Sequence, residues 1–254
     1  MRKISLAVSV VALIALVVPT RSNAQVYFGE DMNSSGYVPL SSTPNSDAAA
    51  DEFLDRLVGT GTETFESFSA GEDPPLNLTF PGAGTATLTG SGEIESVAPG
   101  TANGAGRYAT SGSKFFEIST GSLFEIVFSE PVAAFGFFGV DISDFGEELY
   151  LTFVRDAGSN TELTVPNTLG AGSSTDGSVL FYGFIDDVNP FDAVQFRSST
   201  GEVFAFDDMT IGSVDQVIPP NSTVPEPISM ALLGTGLAGV AAARRRKRAE
   251  QDND

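Results

Sequence analysis

The sequence predicts an all-β body, an antiparallel β-sandwich of jelly-roll type, with one short helix at its start. Short segments rich in Phe, Val, Ile and Thr recur through residues 62–211, and Gly, Pro, Asp and Ser separate them. Several of these segments carry bulky side chains on both faces, which is typical of strands between two packed layers. The alternation of strands and helices that an α/β fold requires is not present.

The helix is predicted over residues 46–58. Ser46 is positioned to cap it, Asp47 and Asp51 favour its N-terminal turns, and Gly59 ends it. Eleven strands follow, and the pattern places them at residues 62–68, 76–80, 85–89, 114–118, 123–128, 132–140, 148–155, 161–165, 179–185, 193–197 and 203–211.

The chain begins with the three parts of a secretory signal peptide, and we assign residues 1–24 to it. Arg2 and Lys3 form the basic start, residues 4–18 form the apolar run, and Ala24 is the small residue at the predicted cleavage position. The apolar run is shorter than the roughly 20 residues that span a bilayer. This favours a cleaved signal helix over an uncleaved anchor helix.

The C-terminal residues 224–254 contain a second membrane segment. Residues 228–243 are uncharged and mostly apolar, and they are predicted to form a transmembrane helix, although at about 1.5 Å per residue they only just span a bilayer. The flanking motifs are Val224, Pro225, Glu226 and Pro227 before the segment, and Arg244, Arg245, Arg246, Lys247 and Arg248 after it. A basic cluster directly after an apolar segment stays in the cytoplasm, so the residues between the two ends are exported.

These motifs and the segment between them resemble the PEP-CTERM sorting signal of Gram-negative bacteria that make extracellular polysaccharide. The resemblance implies that an exosortase, a transpeptidase-like membrane enzyme, removes the tail near Pro225–Pro227. We therefore expect a protein that crosses the inner membrane, is anchored transiently, and ends at the cell surface or in the extracellular matrix. A nucleic-acid role for the basic cluster is disfavoured, because the cluster adjoins a membrane segment in an exported chain.

Three segments lie between the signal peptide and the tail: a polar leader at residues 25–45, the sandwich at residues 46–212 and a linker at residues 213–223. Residues 26–223 contain five basic and 29 acidic side chains, a formal net charge of −24. This charge repels nucleic acid and favours divalent cations and neutral or cationic partners. The chain has no His and no Cys, which excludes Ser-His-Asp and Cys-dependent catalysis and ordinary structural zinc sites.

Acidic residues inside apolar strands require an explanation, because burying an unpaired carboxylate is costly. Glu66 lies on the first predicted strand and Asp207–Asp208 lie on the last. This pairing of acids resembles the pattern of jelly-roll carbohydrate-binding modules and related adhesion domains. The resemblance implies that these strands lie together and that Glu66, with Asp207 or Asp208, holds a structural Ca²⁺. Alternation along a strand sends Asp207 and Asp208 to opposite faces, so only one is expected to serve. Asp141 and Asp144 are either turn formers or ligands of a second calcium ion or a sugar.

The sequence favours a non-catalytic cell-surface or matrix protein that works within or beside extracellular polysaccharide. Two alternatives stay open: a carbohydrate-binding or adhesion module with structural calcium, and a secreted hydrolase that uses paired carboxylates. No spacing singles out a pair of acids, so catalysis is the least favoured. The chain has no Trp, and the candidates for an aromatic sugar platform are Tyr27, Tyr37, Tyr108, Tyr150 and Tyr182.

Overall fold

Two antiparallel sheets packed face to face form the body of the protein. The computed structural model describes residues 24–198 and 201–219, and this part of the chain contains thirteen strands and one α-helix. In chain order the elements are β1 (Gln25–Asp31), α1 (Pro44–Leu54), β2 (Thr62–Glu63), β3 (Leu76–Phe80), β4 (Gly84–Thr89), β5 (Gly92–Ser96), β6 (Lys114–Ser119), β7 (Phe124–Val132), β8 (Ala134–Val140), β9 (Leu149–Val154), β10 (Thr161–Thr164), β11 (Val179–Ile185), β12 (Phe191–Ser198) and β13 (Val203–Gly212). The predicted mostly-β, two-layer fold is confirmed.

The chain passes repeatedly between the two sheets. The first sheet has the strand order β1-β11-β8-β13-β6-β5, with β2 added to β13, and the second has the order β10-β9-β12-β7-β4-β3. Every described strand pair is antiparallel. The pairing of β2 with β13 brings the first predicted strand next to the last, as the jelly-roll resemblance implies.

The core consists mainly of phenylalanine side chains that project from both sheets into the space between them. Phe137 on β8 stacks on Phe206 of β13 with ring centroids 4.9 Å apart, and it reaches Phe196 on β12 of the other sheet at 5.7 Å. Phe153 on β9 packs against Phe184 on β11 at 4.2 Å. These rings join the sheets directly, and such pairs add about 0.5–1.5 kcal/mol each beyond the area that they bury.

Helix α1 lies on the outer face of the first sheet, where two glycines make room for it. Gly136 on β8 and Gly183 on β11 are paired across the sheet, and the buried ring of Phe53 lies over both. A Cβ atom added at Gly136 or Gly183 would lie 2.8 or 2.7 Å from that ring, which is closer than packed carbon atoms approach. A larger residue at either position would therefore displace the helix.

The helix begins at Pro44 and ends at Leu54, which is earlier at both ends than predicted. Ser46 does not cap it, contrary to the prediction. Instead, the carboxylate of Asp31 at the end of β1 accepts hydrogen bonds from the Ser46 amide at 2.8 Å, the Ser46 hydroxyl at 2.7 Å and the Asn45 amide at 3.1 Å. Burial acts to raise the pKa of Asp31, but these hydrogen bonds outweigh it and hold the pKa below its usual value.

All eleven predicted strands are present, and two further strands were not predicted. The predicted strand 62–68 is reduced to two residues, because Phe65 adopts a left-handed conformation with φ of 57° and turns the chain. Strand β1 lies within the segment 25–45, which is therefore not simply a polar leader. Strand β5 has a single buried apolar residue, Ile94, so its sequence carries no alternating pattern.

The start of the predicted linker at residues 213–223 is packed against the sandwich. The side-chain amide of Gln216 donates hydrogen bonds to the carbonyl oxygens of Gly59 at 2.8 Å and Pro81 at 2.9 Å. Val217 forms an isolated antiparallel bridge with Leu57. The folded body therefore runs from β1 to at least this bridge.

The predicted signal helix, the transmembrane helix at residues 228–243 and the sorting residues after Thr223 lie outside the described residues. Of the predicted signal peptide, only Ala24 is described. Among the described helices, none is both long enough and apolar enough to cross a membrane.

Tyr182 on β11 provides a test of this core. Its hydroxyl is buried and has no hydrogen-bond partner among the described residues, and burial raises the pKa of the phenol far above its usual value. Tyr182→Phe removes only the unsatisfied hydroxyl, so we expect the free energy of unfolding to rise by about 1 kcal/mol, measured by denaturant titration.

The matched control is Tyr108→Phe. The Tyr108 hydroxyl donates to the Gly177 carbonyl at 2.8 Å and accepts from the Leu40 amide at 3.2 Å, so its removal should lower stability by about 1 kcal/mol. Equal destabilisation by Tyr182→Phe and Tyr108→Phe would show that the Tyr182 hydroxyl has a partner after all.

Candidate functional site

Loops at one end of the sandwich bring three carboxylates together. One oxygen each from Asp141, Asp144 and Asp176 lies within 4.8 Å of the other two. Asp141 and Asp144 follow β8, and Asp176 precedes β11, the strand paired with β8. In the described part of the chain, no other group of three acids converges as closely. We call Asp141, Asp144 and Asp176 the acidic trio.

Backbone turns hold Asp141 in its place in the acidic trio. Asp141 and Ser143 adopt left-handed conformations with φ of 71° and 69°, so the chain turns sharply after β8. The Asp141 carboxylate accepts a hydrogen bond from the Gly177 amide at 2.9 Å. Gly106 lies directly against the carboxylate, and a Cβ atom at this position would be 2.7 Å from its Cγ. The turn and the glycine contact together hold a carboxylate that is only 1% exposed.

Burial and mutual repulsion raise the pKa values of the acids at this end. Burial raises the pKa of Asp141 to about 7, and the nearby charge of Asp144 adds to the effect. Asp144 is raised by burial and by Asp176 to a pKa of about 6. Glu202, which accepts a hydrogen bond from the Ser143 amide at 3.1 Å, has a pKa of about 7, raised by burial and by Asp144. The site therefore holds either protons or uncompensated negative charge at neutral pH.

Among the described residues, Arg107 is the basic residue that pairs with this group. Its Nη1 atom is 3.5 Å from Oδ2 of Asp141, but its Nε atom pairs at 2.7 Å with Glu117. One shared guanidinium cannot neutralise the acidic trio and Glu202. Carboxylate oxygens at this spacing suit Ca²⁺, which takes six to eight oxygen ligands from carboxylates, carbonyls and water.

An exposed ring lies beside the acidic trio. Phe145 directly follows Asp144 and is 75% exposed. Arg107, Asp144, Phe145 and Glu202 line a cavity of about 180 Å³. The cavity is small, but it places an apolar ring next to polar groups, which is the combination that sugar sites use.

The structure places the predicted ligands Asp207 and Asp208 at a bulge within β13, where both carboxylates contact the same loop instead of opposite faces of the sheet. A β-bulge interrupts β13 after Asp207, and Asp208 has a left-handed φ of 49°. As a result, the Asp207 carboxylate accepts a hydrogen bond from the Thr110 amide at 2.8 Å, and the Asp208 carboxylate accepts one from the Ser111 hydroxyl at 2.7 Å. Burial and the neighbouring Asp208 charge raise the pKa of Asp207, which is fully buried. The expectation that strand alternation separates the two carboxylates was wrong.

Glu66 is bonded to the next residues of the same loop. Its carboxylate accepts hydrogen bonds from the Ser113 amide at 2.7 Å and the Lys114 amide at 2.6 Å, and the Ser113 bond is the main cause of its lowered pKa. Glu66, Asp207 and Asp208 therefore all anchor residues 110–114. They are not among the carboxylates that converge within 4.8 Å in the described chain.

Sequence reasoning singled out Asp141 and Asp144 but not Asp176 or Glu202. Asp176 stands before Gly177, a dipeptide that is indistinguishable from an ordinary turn, and Glu202 lies 58 positions after Asp144. Only the pairing of β8 with β11 and β13 brings these loops together. Of the five candidate tyrosines, Tyr37 is the one that is largely exposed.

Residues 223–247 match the family model of the PEP-CTERM protein-sorting motif. The chain carries a PEP-CTERM sorting motif. The match includes Val224, Pro225, Glu226 and Pro227, the apolar segment and most of the basic cluster. The PEP-CTERM motif implies an exported protein with a tail that an exosortase processes.

Solved structures similar to the chain include an adhesin domain and a carbohydrate-binding module. The K2 cleaved adhesin domain of Lys-gingipain is 18% identical with a TM-score of 0.38, and the match covers 60% of this chain and 97% of that domain. The C-terminal family 22 carbohydrate-binding module of Clostridium thermocellum Xyn10B is 15% identical with a TM-score of 0.35. That match covers 63% of this chain and 96% of the module. No curated protein matches the chain.

We expect the metal-free protein to lose stability as the pH rises from about 4 to about 7. Asp141, Asp144 and Glu202 have raised pKa values, so in this window the folded state binds more protons than the unfolded state, and a rise in pH favours unfolding. Asp31 and Glu66 have lowered pKa values, and the stability that they provide is lost only as the pH falls below about 4.

Thermal melts in EDTA between pH 4.5 and 8 measure this slope. Asp141→Asn should flatten the decline, because the amide cannot ionise. Glu93→Gln, at an exposed position on β5, is the control and should leave the slope unchanged. A melting temperature that climbs steadily from pH 4.5 to 7 would contradict the assignment.

Proposed function

We propose that this protein is a non-catalytic component of the cell surface or extracellular matrix that works within or beside extracellular polysaccharide. The observation that carries the proposal is the PEP-CTERM motif at residues 223–247, because it joins a sorting signal to a folded body. The net charge of −24 over residues 26–223 supports a soluble exported role and favours neutral or cationic partners. The pairing of β2 with β13 supports a jelly-roll topology for the body.

Delivery would use both ends of the chain. A signal peptide cleaved after Ala24 starts export, residues 228–243 hold the chain transiently in the membrane, and an exosortase cuts near Pro225–Pro227. Arg244–Arg248 would keep the end of the tail in the cytoplasm until the cut is made.

We expect the mature exported protein to begin at Gln25 and to lack residues 228–254. Intact-mass spectrometry of the surface and culture fractions measures both ends. Glu226→Ala should leave full-length chain in the membrane fraction, whereas Glu250→Ala, beyond the basic cluster, should be processed normally. An exported protein that retains Arg244–Arg248 would identify residues 228–243 as a plain membrane anchor.

The second candidate function is a carbohydrate-binding or adhesion module that calcium stabilises. The convergence of Asp141, Asp144 and Asp176 favours it, because Ca²⁺ would neutralise carboxylates that Arg107 alone leaves unbalanced. The set Glu66, Asp207 and Asp208 remains the other candidate for ligands. Exposed Phe145 beside the acidic trio would then supply an apolar contact for a sugar.

Melts of the mature protein at pH 7.5 with EDTA and with added Ca²⁺ separate these possibilities. A Ca²⁺ concentration about a hundredfold above Kd should raise the melting temperature by roughly 5–10 °C. Loss of this shift in Asp144→Asn and Asp176→Asn would assign calcium to the acidic trio. Loss of the shift in Glu66→Gln and Asp208→Asn would instead assign calcium to the set Glu66, Asp207 and Asp208. No shift in the unaltered protein would remove calcium from the proposal.

Polysaccharide association is tested by retention of the same protein on extracellular polysaccharide prepared from the producing cells. Retention without release of new reducing ends supports the non-catalytic role. Release of reducing ends that is lost in Glu202→Gln would favour the secreted hydrolase with paired carboxylates instead. Failure of retention would overturn the polysaccharide association itself.

A further inference from the structure

A groove crosses the outer face of the first sheet between α1 and the loop at residues 97–112. Two adjoining cavities of about 620 and 270 Å³ form it, and Asp47, Phe138 and Asp208 line both of them. The larger cavity is within the roughly 300–1,000 Å³ that ligand sites commonly occupy. No member of the acidic trio lines either cavity, so the groove is separate from the candidate calcium site.

The groove combines an apolar floor with polar, acidic walls. Phe138 and Phe181 lie on the floor, which belongs to β8 and β11, and Asp47, Asp51 and Asp208 stand along the groove. Hydroxyl groups line the larger cavity and come from Ser41, Ser42, Thr43, Thr101 and Thr110. No Lys or Arg lines either cavity in the described part of the chain.

We propose that this groove binds a polysaccharide that carries free amino groups, such as a polymer of glucosamine units. Protonated amines pair with the three carboxylates, sugar hydroxyls bond to the serine and threonine side chains, and the apolar faces of the sugar rings pack on the partly exposed Phe138. An anionic polysaccharide would meet three carboxylates and a body of net charge −24. The inference rests on the proposed function only in taking a polysaccharide as the ligand class.

The sheet topology favours a sugar polymer over a basic peptide. Extended peptides bind most readily by adding a strand to a free sheet edge. The strands beneath the groove, β8, β11 and β13, are each paired on both sides. The groove therefore offers side chains rather than unpaired backbone groups.

Asp47 and Asp51 are the positions to change, because both are exposed and lie on one face of α1. Asp208 is less suitable for substitution, because its carboxylate accepts hydrogen bonds from the Ser111 and Thr110 hydroxyls and its loss would disturb that loop. Glu52 and Asp55 supply the matched control: they are exposed acids of the same helical region, and they line a different cavity with Arg56. The pairs Asp47→Asn/Asp51→Asn and Glu52→Gln/Asp55→Asn remove the same charge.

Isothermal titration of the mature exported protein at pH 6 in EDTA tests the proposal, with fully de-N-acetylated glucosamine oligomers as the probe. We expect binding that weakens with added salt and that falls at least tenfold in Asp47→Asn/Asp51→Asn. Melting curves confirm that each variant is folded. The control Glu52→Gln/Asp55→Asn should bind like the unaltered protein. Because EDTA is present, the result does not depend on the calcium proposal.

Three results would overturn the inference. Equal weakening in both double variants would show a general attraction to negative charge rather than a site. Equal affinity for N-acetylated oligomers would show that the amines are not recognised. Binding of an oligolysine peptide without binding of the glucosamine oligomers would assign the groove to basic peptides. Retention on native polysaccharide is measured separately, so failure of the groove and failure of the proposed function are distinguishable.

Discussion

The phenylalanine layer between the two sheets fixes the strands from which the acidic trio and the groove are built, in a chain that has no Cys and so no disulfide. Phe135 and Phe137 fix β8 against the second sheet, and the next loop begins with Asp141. Phe204 and Phe206 fix β13, the strand next to β8. Both the acidic trio and the groove are therefore attached to strands that the core determines.

The outer face of β8 shows how one strand serves two purposes. Its inward positions carry the core rings, while its outward positions include Gly136, on which Phe53 of the helix rests, and Phe138, which lines the groove. Gly136 sets how closely α1 can approach the sheet. The position of α1 then sets where Asp47 and Asp51 lie along the groove. Packing of α1 on the outer face of the sheet thus controls the geometry of the groove.

The fold class and most strands were predictable, because Phe-rich segments and turn residues are local signals. The edge strand β1 was not, since its pairing with β11 depends on residues more than 140 positions away. The bulge at Asp207–Asp208 defeats the alternation rule, and the sequence gives no sign of it. The convergence of Asp176 with Asp141 is likewise a product of topology. By contrast, the sorting motif was recognisable because its parts are contiguous.

The body's carboxylates have two structurally different roles, and the difference bears on function. Asp31, Glu66 and Asp207 each accept several hydrogen bonds and anchor a helix start or a loop, work that disulfides perform in many other exported domains. Asp141 accepts one hydrogen bond from the Gly177 amide and shares the Arg107 guanidinium with Glu117. The acids beside it repel its negative charge and so raise its pKa. A carboxylate that anchors a loop needs no ligand. Carboxylates that face one another under burial need a proton or a cation.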